Sequence, residues 1–510
     1  MKRRITALFL TGIMLISLCA CTGTENSGGN VALTKDDVIS ITMLTSSSNP
    51  YNADWKIWDY IEEGTGVTVE PHPVISSDYF TKYSLMFAAP ETVTDLTVFD
   101  YKPDSDVYVN QGAFVALDDL EEHMPNYKAF VESLSEVEFN SIVKTRKAFD
   151  GKIYYAPATG REKTRGIRAW LYREDIFNKH GLKAPTTYDE LYEVCKQLKE
   201  LYPESYPLAQ RSKLSNLEVT GSSWKEYWEP GAYYDYTNDT WHYGAIEDTA
   251  REVITFYKKM IDEGLLASDF YSMSEAGWTE LITTDRGFIM PDYQTRIDYF
   301  NKLAREKKPD FTIQAIEPPV ATEKGVSKVG KYNYETFGFA MANKGDDLRK
   351  AKVAKFVDWF YTDEAMELVS WGKEGETYEI VDGKKQYITD SEGSAPNKLY
   401  GINTYGTFLR LDPEVTTIVQ SEDIAKTREM ILEHTVDYVN PIRYLAYVEE
   451  EQKVIDQYAA ALKTHTEEML IKFILGQEPI SNFDAFVENV KSMGVDELLT
   501  AYSSAYDRIK

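Results

Sequence analysis

VISITML at residues 38–44 predicts a strand, because β-branched and other apolar residues dominate it, and it begins a regular alternation of apolar and amphipathic runs. The pattern after it predicts a helix at 54–63, a strand at 67–69, a helix at 78–88 and a strand at 95–99. Strand, helix and strand at this spacing are typical of an α/β sheet with parallel strands and helices on its faces.

A second series follows the Asp150-Gly151 dipeptide, which predicts the tight turn of a hairpin. Strands are predicted at 153–155 and 167–172, and helices at 175–180, 189–201, 351–370 and 449–476. Thr186 or Thr187 can cap the helix at 189–201, since carboxylates follow in its first turn. No internal repeat is present, so a solenoid or propeller is not expected, and the length suits two or more lobes.

The amino terminus has the pattern of a bacterial lipoprotein signal. Basic residues 2–4 precede an apolar core at 5–18, which is shorter than the ~20 residues of a membrane span. Ala20 precedes Cys21 in a segment that resembles a lipobox, and Cys21 is then the acylated residue. The alternative is an ordinary signal peptide with a chance cysteine.

Cleavage there makes residues 1–20 the signal peptide and residues 21–36, which are poor in apolar side chains, a flexible tether. Everything after Cys21 is expected outside the cytoplasm, anchored to the membrane by lipid. Cys195 is then the only thiol besides the acylated one, so no disulfide is expected, and its helical surroundings predict a small buried hydrophobic residue.

Charge and missing motifs restrict the function further. The formal net charge is −27, which argues against nucleic acid as a partner and against long-range attraction of polyanions. The six histidines are too scattered for a zinc motif, and no serine-hydrolase elbow, dinucleotide loop or ATP-binding loop occurs. No metal, no cofactor and no enzymatic activity are therefore expected.

Four segments together resemble one family. They are LYRED at 171–175 with KHGLKAPTTYDEL at 179–191, YVNQGAF at 108–114 with LDDL at 117–120, WGKEGETY at 371–378 with VDGK at 381–384, and FILG at 473–476 ahead of 490–502. In this order and spacing, the chain resembles the family 1 extracellular solute-binding proteins of ABC transporters. Within the family it is most similar to the large, lipoprotein-type carbohydrate-binding branch that is common in Gram-positive bacteria.

The resemblance implies a two-lobe, periplasmic-binding-protein-like (type II) α/β fold with a hinge between the lobes. Lobe 1 would comprise 37–155 and 332–403, and lobe 2 would comprise 156–331 and 404–510. The function implied is capture of an oligosaccharide by a monomer on the extracellular face of the cell membrane, for import through two permease subunits and a cytoplasmic ATPase. Relatives often carry a calcium loop where this chain has YPESYP at 202–207, so no calcium is expected there.

Ligands of open α/β sheets bind beyond the carboxyl ends of strands, which directs attention to the loops after Leu44, Phe99, Met290 and Tyr332. These loops hold aromatic rings for sugar faces and polar groups for hydroxyls. The candidate ligand-binding residues there are Tyr51, Trp55, Asp100, Tyr293, Gln294 and Arg296. Each of them could instead cap a helix or close the core.

Aromatic residues are densest at 222–243. The part at 233–243 alternates about Asn238-Asp239 and predicts a structural hairpin. Trp224 and Trp228 would share a face if helical, and they are the candidates for sugar stacking, together with Trp371 of lobe 1. The alternative is packing between the hairpin and its lobe.

Two other classes of function stay open at this point. A surface glycosidase or lyase needs only a few suitably placed side chains. A glycosidase needs two carboxylates, and a chain with 82 acidic residues could supply them, so this class of enzyme is not excluded. A surface adhesin that transports nothing would show no stabilisation by small ligands. Release of new reducing ends from oligosaccharides distinguishes the enzyme from the binding protein.

Overall fold

This computed structural model describes residues 31–45, 49–75, 78–99, 108–160, 167–211, 214–330, 337–390, 395–415, 421–436 and 440–510. Its first sheet has five strands in the order β2, β1, β3, β11, β4. The strands are β1 Val38–Thr45, β2 Thr68–Ile75, β3 Leu96–Phe99, β4 Tyr155–Pro157, β5 Arg168–Arg173, β6 Ala232–Asp235, β7 Thr240–Tyr243, β8 Ile289–Tyr293, β9 Ile313–Ile316, β10 Val329–Gly330, β11 Gly338–Met341, β12 Tyr378–Val381, β13 Lys384–Tyr387 and β14 Thr435–Val436. β1 pairs in parallel with β2 and β3, which confirms the prediction from the first series. β11 pairs antiparallel with β3 and β4.

The α-helices fall close to the predicted segments where amphipathic periodicity is strong. They are α1 Lys56–Thr65, α2 Tyr79–Ala88, α3 Pro125–Ser133, α4 Glu136–Ile142, α5 Glu174–His180, α6 Tyr188–Leu201, α7 Ser215–Thr220, α8 Asp248–Asp262, α9 Glu275–Thr283, α10 Arg296–Arg305, α11 Asp347–Trp359, α12 Asp363–Ser370, α13 Pro396–Tyr400, α14 Glu422–Glu433, α15 Glu449–Ile474, α16 Phe483–Ser492 and α17 Val495–Ile509. Thr187 caps α6 as predicted, since its hydroxyl accepts the Glu190 amide at 3.1 Å.

The second sheet has the order β8, β5, β9, and β5 is antiparallel to both neighbours. Successive residues of β5 point to opposite faces, so Trp170 packs into one hydrophobic core while Leu171 packs into another. Helices therefore cover both faces of this sheet. β6 and β7 form the predicted antiparallel hairpin, which packs with α17.

Two sets of hydrophobic residues define two lobes. The first lobe packs around Ile41, Val98 and Phe339, and the second around the faces of β5. Phe408 and Leu411 pack into the first lobe, beyond the boundary that the resemblance placed at residue 403. Val415 packs with Trp371 of the first lobe, so the chain passes between the lobes after β4, after β10 and after Val415.

The remaining sequence predictions concern membrane spans, the signal, Asp100 and the cysteines. Within the described residues, no helix is long and apolar enough to cross a membrane. The predicted signal, Cys21 and Asp100 lie outside the described residues. Cys195 is buried in the second lobe, and this burial raises the pKa of its thiol.

Candidate functional site

The candidate site consists of one end of each of the two sheets, where the chain passes from one lobe to the other. Gly338 pairs with both Phe99 and Pro157, so the carboxyl ends of β3 and β4 and the amino end of β11 lie at one edge of the first sheet. Arg168 pairs with Tyr293, so the amino end of β5 and the carboxyl end of β8 lie at one edge of the second. Along the chain, β4 is followed by β5 of the second sheet, and β10 is followed by β11 of the first. This is the position at which α/β sheets bind ligands.

Asp292 is the buried centre of the second-lobe side. Its carboxylate accepts from Arg211, with Nε at 2.9 Å and Nη2 at 3.1 Å, and from the Tyr293 amide at 2.7 Å. Arg296 Nε lies 3.6 Å from the same carboxylate, and its Nη1 lies 2.9 Å from Glu275. A buried carboxylate with so many donors is fully compensated, so Asp292 orients two arginines and is not itself free to bind a ligand.

Trp278 packs against both Arg211 and Arg296. Its ring is fully buried, and its Nε1 donates to the Ala209 carbonyl at 3.1 Å. The guanidinium carbon of Arg211 lies 4.6 Å from the ring centroid and that of Arg296 lies 5.6 Å from it, which is cation–π distance. Arg211 and Arg296 are therefore held by both charge and stacking.

Arg168 differs from these two arginines. Its guanidinium carbon lies 3.6 Å from the centroid of the Tyr293 ring, which is partly exposed. Its Nε is buried and makes no hydrogen bond within the described residues. Arg168 and Tyr293 therefore form a stacked pair at the edge of the second sheet.

Gln294 follows this pair and is buried. Its backbone amide donates to the Ile167 carbonyl at 3.0 Å, which ties the end of β8 to the residue that precedes β5. Its Oε1 is buried without a hydrogen-bond partner among the described residues. Asp292 and Tyr293 lie within β8, so the predicted ligand loop after Met290 begins later than the sequence indicated.

Tyr51 is the partly exposed candidate residue of the first lobe. It is partly exposed in the segment that joins β1 to α1, and its ring meets the edge of Trp55 at 5.5 Å between centroids and 75° between planes. Partial burial raises the pKa of its hydroxyl. Its ring is the aromatic surface that the first lobe offers near the end of β1.

The four candidate tryptophans are placed differently from the prediction. Exposed fractions are 2% for Trp55, 4% for Trp224, 1% for Trp228 and 0% for Trp371. Trp55 Nε1 donates to the Lys398 carbonyl at 3.0 Å, and Trp371 Nε1 donates to Asp412 at 2.8 Å. These rings fill cores and have no free face for a sugar, which fits the packing alternative.

Trp224 and Trp228 also fail the helical premise on which they were paired. The helix α7 ends at Thr220, and Tyr227, between the two tryptophans, has φ +67°, which a right-handed helix does not allow. Trp224 packs edge-on against Tyr188 at 4.8 Å. Stacking of ligand on these two rings therefore has no support in the structure, and the correction follows from local backbone geometry.

Sequence reasoning missed Arg168, Arg211 and Glu275. Arg168 opens the strand that follows the first passage between the lobes, so its position at a sheet edge was a usable signal. Arg211 and Glu275 carry no such signal, because they reach Asp292 and Arg296 from distant parts of the chain. Among the described residues, no group of three or more His, Cys, Asp or Glu side chains is arranged to hold a metal ion.

Comparison with known proteins gives consistent matches. A family model described as bacterial extracellular solute-binding protein matches residues 46–367. Lipoprotein LipO of Bacillus subtilis is 24% identical, over 100% of this chain and 99% of its own length. The polygalacturonan/rhamnogalacturonan-binding protein YtcQ of the same organism is 20% identical, over 97% of this chain and 96% of its own.

Solved structures agree in fold. An alginate-binding protein, AlgQ2, superposes with a TM-score of 0.70 at 21% identity, covering 92% of this chain and 98% of its own. A solute-binding protein of Bifidobacterium longum infantis, described as binding HMO, superposes with a TM-score of 0.73 at 17% identity, with the same coverage. At these identities the likeness establishes the two-lobe architecture.

Proposed function

Because the chain belongs to the bacterial extracellular solute-binding protein family, we propose that it captures an oligosaccharide between its lobes and delivers it to an ABC transporter for import. The observation that carries the proposal is the stacked Arg168–Tyr293 pair at the edge of the second sheet, together with the partly exposed Tyr51 ring after β1 in the first lobe. Aromatic faces and planar donors are the groups that bind pyranose rings and their hydroxyls.

The proposed partners follow from this role. Two permease subunits and a cytoplasmic ATPase would receive the ligand from a monomeric binding protein, which would be held on the extracellular face of the membrane by lipid at Cys21. Closure of the lobes around the sugar would distinguish the loaded from the empty protein. YtcQ, AlgQ2 and the Bifidobacterium protein are described as binding proteins, and the proposal includes no catalytic step.

A thermal-shift screen tests the capture of oligosaccharides. A true ligand at a hundred times its dissociation constant should add about 2.7 kcal/mol to the free energy of unfolding. Chromatography of the same mixtures for new reducing ends is expected to show none. Stabilisation by no saccharide in a broad panel would contradict the proposal, and release of reducing ends would indicate a glycan-degrading enzyme.

Replacing Cys21 by alanine should abolish lipid attachment while the lobes still fold, because Cys21 precedes Leu33, the first of the described residues that packs against the core of the first lobe. Metabolic labelling with palmitate should mark the wild-type protein and not Cys21→Ala, and the variant should leave the membrane fraction. The matched control is Cys195→Ala, whose buried thiol is not available for acylation. Labelling that persists in Cys21→Ala would refute the lipobox assignment.

A further inference from the structure

We propose that the cleft takes an acidic oligosaccharide and that Arg168 binds the carboxylate of a uronic acid unit, an inference that rests on the proposed function. The starting point is the balance of charge at the edge of the second sheet. Arg211 is paired with Asp292, and Arg296 is paired with Glu275 and Asp292. Within the described residues, Arg168 has no carboxylate partner.

An unpaired arginine in this place is costly without a ligand. The side chain of Arg168 is partly buried, its Nε is shielded from solvent without a hydrogen-bond partner among the described residues, and the contact with the Tyr293 ring compensates the lost hydration only in part. A carboxylate from a bound sugar would supply the counter-charge that the guanidinium lacks among the described residues and would accept hydrogen bonds from its accessible nitrogens. A neutral hydroxyl can accept the hydrogen bond but leaves the charge uncompensated.

The stacking on Tyr293 fixes how that carboxylate would approach. The guanidinium carbon lies over the ring, 3.6 Å from its centroid, and the N–H groups of a guanidinium lie in its plane as a rigid fork. This fork matches the two oxygens of a carboxylate, and its orientation is set before the ligand arrives. The partly exposed Tyr293 ring beside it offers an apolar surface for the sugar.

The net charge of −27 opposes attraction of an anion from a distance, so selectivity has to arise at short range. Contact within the cleft is screened less by salt than surface charges are. We therefore expect acidic ligands to bind with an affinity that depends on the local arginine, and with a slow association step that added salt accelerates.

The test uses trimers of galacturonate, mannuronate and guluronate, each beside its methyl ester, together with neutral trisaccharides. Isothermal calorimetry with the full mature protein should show at least one free acid binding tenfold or more tightly than its ester, an order-of-magnitude expectation for a lost charged hydrogen bond. Equal affinity for acid and ester, or binding of neutral trisaccharides alone, overturns this inference and leaves the proposed function standing. No binding of any saccharide overturns both.

Variants assign the effect to one residue. Arg168→Gln should lower affinity for the free acid about tenfold or more and leave affinity for the ester unchanged, so that the preference disappears. Arg168→Lys keeps the charge but not the planar fork, and it should retain part of the preference. The control is Arg286→Gln, an exposed arginine near the opposite end of β8, which should bind like wild type. A preference that survives in Arg168→Gln with native melting rules out this role for Arg168.

Discussion

Replacing Trp228 by alanine is expected to lower the free energy of unfolding by ~3–5 kcal/mol, while folded molecules keep wild-type affinity for ligand. The ring is 1% exposed and lies in the core of the second lobe. Gly221 and Gly244 approach the Trp228–Glu229 segment so closely that a side chain at either position would collide with its backbone. Because these close-packed neighbours cannot move in to fill the cavity that the ring leaves, the substitution should lower the free energy of unfolding.

Urea denaturation followed by circular dichroism measures the loss, and calorimetry of the folded fraction measures affinity. Phe149→Ala is the control, because this exposed ring of the first lobe should change stability by only about 0.5 kcal/mol or less. If Trp228→Ala melts normally but binds oligosaccharide much more weakly, the ring contacts the ligand and the core assignment is wrong.

The second large effect is expected for Arg173→Met, which should cost ~3–5 kcal/mol at neutral pH. Arg173 is 1% exposed at the end of β5. It donates to Asp175 at 2.8 and 2.7 Å, to Asp285 at 2.8 Å and to the Ile282 carbonyl at 3.0 Å. Methionine fills similar space but leaves the two carboxylates without this partner.

The loss should depend on pH in a defined direction. Burial would raise the pKa of Asp285, but hydrogen bonds from Lys308 and Arg173 outweigh it and hold the pKa below its usual value. A lowered pKa contributes stability above the ordinary value of about 4, and this contribution is lost as the pH falls through the folded-state value. The difference between wild type and Arg173→Met should therefore shrink in acid.

Denaturation series from pH 7 to pH 3 test this expectation. Arg286→Gln is the control, because its pair with Glu280 is exposed and should contribute less than about 1 kcal/mol at any pH. A penalty for Arg173→Met that is equally large at pH 3 would show that lost packing against Phe311, 4.0 Å from the guanidinium carbon, outweighs the ion pairs.

Much of the fold is predictable because it depends on local periodicity. The parallel pairing of β1 with β2 and β3 follows from alternating short strands and helices, and the hairpin of β6 and β7 follows from two-residue alternation about Asn238-Asp239. The insertion of β11 between β3 and β4 has no local signal. It depends on pairing between segments far apart in the sequence, which no pattern within one segment encodes.

The site is less predictable for a related physical reason. Aromatic composition does not distinguish a partly exposed ring at a sheet edge from one that fills a core, and both Trp228 and Tyr293 fit the composition argument equally well. The difference depends on neighbours from other segments: close-packed glycines around Trp228, and beside Tyr293 an arginine that has no carboxylate partner in the described part of the chain. Charge balance among distant side chains was therefore the information that the sequence could not supply.

The strand order of the first sheet also sets a sequence of events during folding. Among the strands that the structure describes, β4 pairs with β11 alone, and the whole of the second sheet lies between these two strands along the chain. A chain that emerges from its amino terminus cannot attach β4 until the strands of the second lobe have followed. Contacts this distant in sequence slow folding, so unpaired strand edges of the first lobe stay exposed for longer. An exported chain of this design would gain from chaperones that shield the edges of β3 and β4 until β11 arrives.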